Sequence, residues 1–393
     1  MGIDDPTAED MLDLRELYAP GHEIASLVGL ETAHNIETLG VSVNQVNDVS
    51  PLAGLSALTI LDVSYNQVND VNVLASLPQL VYLDLGYNDF NDANELATLE
   101  HLQDLEHLES LSLAGNDLND ISLLEPLVSL QELSLANNEI NDVNVLAGLA
   151  ELYFLDLSHN EVNNISVLAN LPEIIHLFLA DNPITNLAAL ATGGRFWELD
   201  ISDLAITDLS TLPLAPLRLT RYLHLAGNAL IDVSALADVP SLVTLDLSRN
   251  ATNLATLPVF PYLATLNLSS NGLTDPTPLL NQLNQPWLEA LHLAGNSLTS
   301  LDGLTGLPVT TLDLADNQIR DLNGMEFMRG LQVLNVNDNE IHDLTPLLTL
   351  TKLEILNLTG NRLTQQATCE QIPIIRKNNP GIEIEYDPHE SCP

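Results

Sequence analysis

Positive charge is what this sequence most lacks. Its 393 residues carry 11 Lys and Arg against 54 Asp and Glu, a formal net charge of -43, and neither Lys nor Arg occurs between Arg15 and Arg195. Nucleic acid is bound through a basic footprint. The chain has none, so a nucleic-acid partner is not expected, and an anionic membrane surface is disfavoured on the same ground. Long apolar runs are missing too: no stretch of 18 residues could span a bilayer. The opening MGIDDPTAED has neither the charged nor the apolar region of a secretory signal, although a processed domain would show the same. Aromatics make up only 4% of the chain while 46% is hydrophobic, which points to thin, regular aliphatic layers rather than one deep core. Cysteine is confined to Cys369 and Cys392. Their closeness to one terminus suggests a disulfide stapling an end cap in an oxidising compartment; two buried free thiols are the alternative. There is no phosphate loop, zinc-ligand cluster, nucleophile elbow or HExxH. No enzyme activity, cofactor or metal is therefore expected.

What the sequence has in quantity is leucine at fixed intervals. The hexapeptide L-x-L-x-x-N recurs as LDVSYN ending at Asn66, LDLGYN at Asn88, LSLAGN at Asn116, LSLANN at Asn138, LDLSHN at Asn160 and LFLADN at Asn182, then from LHLAGN at Asn228 to LNLTGN at Asn361. The commonest interval is 22 residues, and variants ending at His22, Asn44 and Leu204 bring the series to sixteen units. A compact core stops growing near 250 to 300 residues, whereas a solenoid adds units in one dimension. In L-x-L the leucines point one way and the intervening residues the other, as in a short strand. The Asn can bond the backbone where the chain leaves that strand, forming a ladder along the array. Four residues later comes an Asp, Asn or Ser, such as Asp48, Asp70, Asp120 and Asp142, the residue types that open helical turns. The expected fold is an α/β repeat solenoid: about sixteen parallel strands on a concave face, and short 3₁₀ or α turns on the convex one. Residues 1–16 are read as an N-terminal cap, 17–363 as the repeats, and 364–393 as a C-terminal cap containing an alternating strand at Ile382, Ile384 and Tyr386.

These units, NQVNDVSPLAGLSALTILDVSYNQVNDV being the clearest, resemble the 22-residue leucine-rich repeats of bacterial internalins and related surface proteins. The resemblance covers nearly the whole chain and implies a horseshoe whose concave sheet grips a protein or glycan. It further implies an adhesion or interaction domain, secreted or on the cell surface, and the caps favour a monomer. Neither an immunoglobulin-like module nor a wall-anchor motif is read in residues 364–393, a departure from the family's pattern. An intracellular scaffold, similar to phosphatase-regulating proteins with repeats of the same length, is the second reading.

Outward strand positions mostly hold Ser, Thr, Ala, Gly or Asp. Exposed aromatics are therefore informative, because Tyr, Trp and Arg dominate interface energetics. From Tyr153 to His224 they fall in consecutive units, and Tyr153, Phe154, His159, His176, Phe178, Arg195, Trp197, Arg218, Arg221, Tyr222 and His224 are read as one partner-binding patch. The repeat breaks its own rules there, with Gly193-Gly194, Leu204 in place of the ladder Asn, and a 24-residue interval. A seam between duplicated halves would explain the same facts. The 28-residue interval between Asn88 and Asn116 predicts a longer convex turn or helix. Asp62 and Asp84 share an outward column, but a flat strand face supplies too few oxygens for calcium, so the acidity is assigned to solubility or to steering a basic partner.

Overall fold

The computed structural model describes residues 7–88, 90, 99–283 and 285–388. The chain divides into two compact units, one ending at Phe196 and one beginning at Trp197. The first carries β1 (Glu16–Tyr18), β2 (Thr38–Gly40), β3 (Ile60–Asp62), β4 (Tyr82–Asp84), β5 (Ser110–Ser112), β6 (Glu132–Ser134), β7 (Phe154–Asp156) and β8 (His176–Phe178). The second carries β9 (Glu198–Asp200), β10 (Tyr222–His224), β11 (Thr244–Asp246), β12 (Thr265–Asn267), β13 (Ala290–His292), β14 (Thr311–Asp313), β15 (Val333–Asn335), β16 (Ile355–Asn357) and β17 (Glu383–Glu385). The first sixteen match the sixteen repeats. Within each unit successive strands pair in parallel and in a fixed register that places leucine beside leucine, as in Leu39↔Leu61 and Leu291↔Leu312. These leucines are buried, with those of the 3₁₀ turns, such as Leu52, Leu74, Leu146 and Leu236, closing each layer from the other side. Each unit is thus a leucine-rich-repeat solenoid.

The ladder asparagines explain why the layers stack. Asn138 accepts bonds on Oδ1 from the Leu118 and Asn116 amides, at 2.9 and 3.1 Å, in the preceding repeat. Its Nδ2 donates to Leu113 O there, at 3.0 Å, and to Leu135 O and Ala136 O of its own repeat, at 3.0 and 3.2 Å. One amide therefore satisfies backbone groups that the turn would otherwise bury unpaired. The acidic positions four residues on are also structural: Asp70 and Asp142 accept from the Asn72 and Asn144 amides at 2.9 Å each. They hold the turn from two residues ahead of its start, one before the N-cap residues Val71 and Val143, since the 3₁₀ segments Asn72–Ser76 and Asn144–Gly148 start only at the residue that donates.

The residue just before the ladder position takes a positive φ near 50 to 68° in repeat after repeat: Val43, Tyr65, Tyr87, Gly115, Asn137, His159 and Asp181 in the first unit, and Asp203, Gly227, Arg249, Ser270, Gly295, Asp316, Asp338 and Gly360 in the second. The left-handed region is unfavourable for a residue with a Cβ. At Gly115 the missing side chain has a second use, because a Cβ there would drive into the Tyr87 ring. Gly194 is fixed by a close approach instead: a Cβ would collide with the Ile174 carbonyl.

At the N-terminal end the helix Ala8–Met11 is closed by a capping box between Thr7 and Asp10. At the other end a π-type turn, Ala367–Gln371, runs into the helix Ile372–Asn378. Gln371 and Asn379 stitch this cap to the last repeat by accepting from the Leu344 and Leu353 amides at 2.8 and 2.9 Å. The expected alternating strand is β17, paired to β16. The 24-residue interval is accommodated by two 3₁₀ turns, Leu209–Thr211 and Pro216–Leu219. In the 28-residue interval, residues 89 and 91–98 lie outside the described residues, and the described part carries a six-residue 3₁₀ run, Leu99–Asp104.

Candidate recognition surface

A strand three residues long presents two side chains on its outer side. The unit boundary at residue 196 falls inside the stretch from Tyr153 to His224, so the candidate residues form two groups. In the first unit, Phe154 on β7 lies opposite His176 on β8, and Asp156 opposite Phe178. The Phe154 ring is tilted against both neighbours, with centroids 5.4 Å from Phe178 and 6.3 Å from His176. Tyr153 stands just before β7 and donates its hydroxyl to Glu132 on β6; that bond, more than burial, pushes the phenol pKa up. His159, in the left-handed column, pairs with Asp181 at 2.9 Å.

In the second unit, Trp197 stands just before β9, 43% exposed, and the Arg221 guanidinium lies over its ring at 4.8 Å. Tyr222 pairs in register with Glu198, and His224 Nε2 is 3.6 Å from Glu198 Oε1. Two of the predicted residues lie farther from the strands than Tyr153, Trp197 and Arg221, which directly precede them. Arg218 sits on the 3₁₀ turn Pro216–Leu219, and Arg195 lies between the turn Ala188–Ala191 and β9; both are exposed. Their nearness in sequence does not bring them to the strand face.

Tyr65 and Tyr87 carry an arrangement that residue type and spacing do not reveal. Their rings stack at 4.3 Å with an interplanar angle of 12°, and the Tyr87 hydroxyl accepts from Asn137 Nδ2 at 3.0 Å, reaching two repeats along over Gly115. In the second unit the Arg249 guanidinium grips the Asp203 carboxylate at 2.9 and 2.6 Å across Gly227. Exposed Tyr262 and Trp287, at matching positions ahead of β12 and β13, were also missed, since they lie outside the L-x-L frame.

The strand face of the first unit is electrostatically tense. Asp62 and Asp84 are register partners on β3 and β4. Each carboxylate holds its own chain end: Asp62 accepts from the Ser64 amide and hydroxyl at 3.0 and 2.7 Å, and Asp84 from the Gly86 amide at 2.8 Å. Burial, with the Asp62 charge adding to it, raises the Asp84 pKa against the pull of these bonds. Tyr82 beside them is pushed up to about 12 by burial first and then by Asp84, Asp62 and Glu132. Among the described residues no cluster of His, Cys, Asp and Glu could hold a metal ion, and no helix is long and apolar enough to cross a membrane. No described cysteine is a free thiol; Cys392 lies outside the described residues.

Comparison with known proteins agrees with this architecture. A family profile described as Leucine Rich repeats (2 copies) matches residues 106–148, and one described as Leucine Rich repeat matches residues 55–72 and 308–326. No curated protein matches the chain by sequence. Among solved structures, an internalin, InlF from Listeria monocytogenes, is 27% identical with a TM-score of 0.57, over 84% of this chain and 88% of that one. A leucine-rich-repeat protein from Leptospira interrogans has a TM-score of 0.60 at 21% identity, over 96% and 97% of the two chains. TLR13, solved as a complex with ssRNA13, has a TM-score of 0.51 at 19% identity, over 94% and 68%. The last two likenesses concern the fold.

Proposed function

Since the chain is an internalin-like leucine-rich-repeat protein, we propose that it is a recognition module, secreted or held at a cell surface, that engages a protein or glycan with the exposed face of its strands. The observation that carries this reading is the pair of aromatic groups at the strand face: Phe154, His176 and Phe178 in one unit, Trp197 with Arg221 in the other. A guanidinium held on an exposed indole is a preformed contact, and rigid aromatics with Arg are the residues that carry interface energy. The protein acts as a monomer in this reading, with no cofactor, no nucleic-acid partner and no insertion into membrane.

The surface location rests on the cysteines. Cys369 and Cys392 are the chain's only two, and we take them to be joined in a disulfide that locks the C-terminal cap, as suits an oxidising compartment. The test of function is capture of a partner in a pull-down or on a glycan array by the intact chain, against a variant with Tyr153, Phe154, Phe178 and Trp197 all replaced by Ala. Capture by the parent and none by the variant is expected. Equal capture by both moves binding off the strands.

A further inference from the structure

We infer that the strand face of the first unit, from β3 to β7, takes an extended, arginine-bearing peptide segment of a protein partner. This rests on the reading that the strand face is where partners bind, and it adds the chemistry of one of them. Asp62, Asp84 and Glu132 line this face on β3, β4 and β6. Each is oriented by uncharged donors: Ser64 for Asp62, Gly86 and Ser112 for Asp84, Ser110 and Tyr153 for Glu132. Among the described residues none of the three belongs to an ion pair. The sequence offers no Lys or Arg from 16 to 194 that could neutralise them. The negative potential acts on the groups between them, since Asp84, Asp62 and Glu132 all add to the raised pKa of Tyr82. Carboxylates fixed in place by neutral bonds leave their charge to be met from outside.

Aromatic rings stand beside each carboxylate. Tyr82 is half-buried next to Asp62 and Asp84, and the stacked Tyr65 and Tyr87, 52% and 37% exposed, form the rim past the strand ends. Phe154 on β7 is the register partner of Glu132. Arginine suits this combination better than lysine, because its planar guanidinium stacks on a ring while its fork donates to a carboxylate. Neighbouring strands are about 4.8 Å apart, so β3 to β7 covers roughly 19 Å, the length of about six extended residues at ~3.3 Å each. A metal ion fits poorly: Asp62 and Asp84 already spend Oδ1 on their own turns, and calcium needs six or more oxygens.

The test uses the full chain and a fluorescent hexapeptide alternating Arg and Gly, at ~0.15 M salt so that diffuse attraction is screened. Asp62→Asn, Asp84→Asn and Glu132→Gln together should weaken binding more than tenfold. Glu125→Gln, Glu151→Gln and Glu173→Gln together, the same change in formal charge on exposed side chains off the strands, should change it less than twofold. Ser134→Lys on β6 should also weaken binding without touching any of the three carboxylates, which covers the case in which the triple variant does not fold. Equal losses in the two triple variants would overturn the proposal, as would spermine binding as tightly as the peptide with the same sensitivity. If captured partner is lost on replacing the strand-face aromatics but not on the carboxylate triple, the arginine segment is refuted and strand-face binding stands.

Discussion

Replacing Asn138 by Ala removes one ladder rung and nothing else of size. Five hydrogen bonds end on that side chain, all to backbone groups, and the residue is only 9% exposed. The Asn116 and Leu118 amides lose their acceptor in a space that Ala leaves empty. A buried donor stripped of its partner costs about 1 to 3 kcal/mol, less where water can replace the lost group. Two donors at the lower end of that range, plus weakened bonds at three carbonyls that keep other interactions, give a loss of about 3 kcal/mol. Asn138→Asp should be no better, because a carboxylate would face the Leu113, Leu135 and Ala136 carbonyls that now accept from Nδ2. Urea denaturation measures the total. Hydrogen exchange localises it, with Asn116 and Leu118 amides exchanging faster than those of distant repeats. A loss below 0.5 kcal/mol with unchanged exchange at these two amides would refute the claim that the ladder holds neighbouring layers together.

Three further outcomes follow from the same geometry. Gly115→Ala places a Cβ in a left-handed residue against the Tyr87 ring and should cost about 1 to 2 kcal/mol; loss of the near-ultraviolet dichroism of the Tyr65–Tyr87 stack reports the ring's displacement. The Asp84 pKa is raised in the fold, so the folded state holds this proton longer than the unfolded one. Stability from this group is greatest at acid pH and declines as pH rises from the unfolded to the folded pKa; Asp84→Asn should remove that decline, seen as a gain in melting temperature at neutral pH relative to the parent that vanishes near pH 3. A Cys369–Cys392 disulfide would appear as no free thiol by non-reducing mass spectrometry of native protein, and reduction should destabilise the cap by about 3 kcal/mol.

The repeat was legible because its signal is redundant: the ladder Asn and the two leucines recur at fixed spacing and each does the same physical work in every layer. The left-handed column was not, since it is filled by residues as unlike as Val43, Tyr65, His159 and Gly227, and the conformation is imposed by neighbouring turns rather than by residue type. Asp203 and Arg249, 46 residues apart, meet only because Gly227 between them has no side chain. The candidate surface was half legible. Alternation placed Phe154, His176, Phe178, Tyr222 and His224 on the strand face, while Arg195 and Arg218 were grouped with them by sequence distance, which carries no information about whether a residue sits on a strand or on the turn behind it.

The central claim is that the strand-face aromatics bind and do not merely pack. Its most direct measurement is the affinity of captured partner, together with melting temperature, for Trp197→Ala, Tyr222→Ala and Thr311→Ala. Interface hot spots of this kind cost about 2 kcal/mol when truncated, roughly a thirtyfold loss of affinity. The account predicts that loss for Trp197→Ala and Tyr222→Ala with nearly unchanged melting temperature, and no effect for Thr311→Ala on β14. Lowered melting temperatures with affinity intact for the two aromatic variants would contradict it.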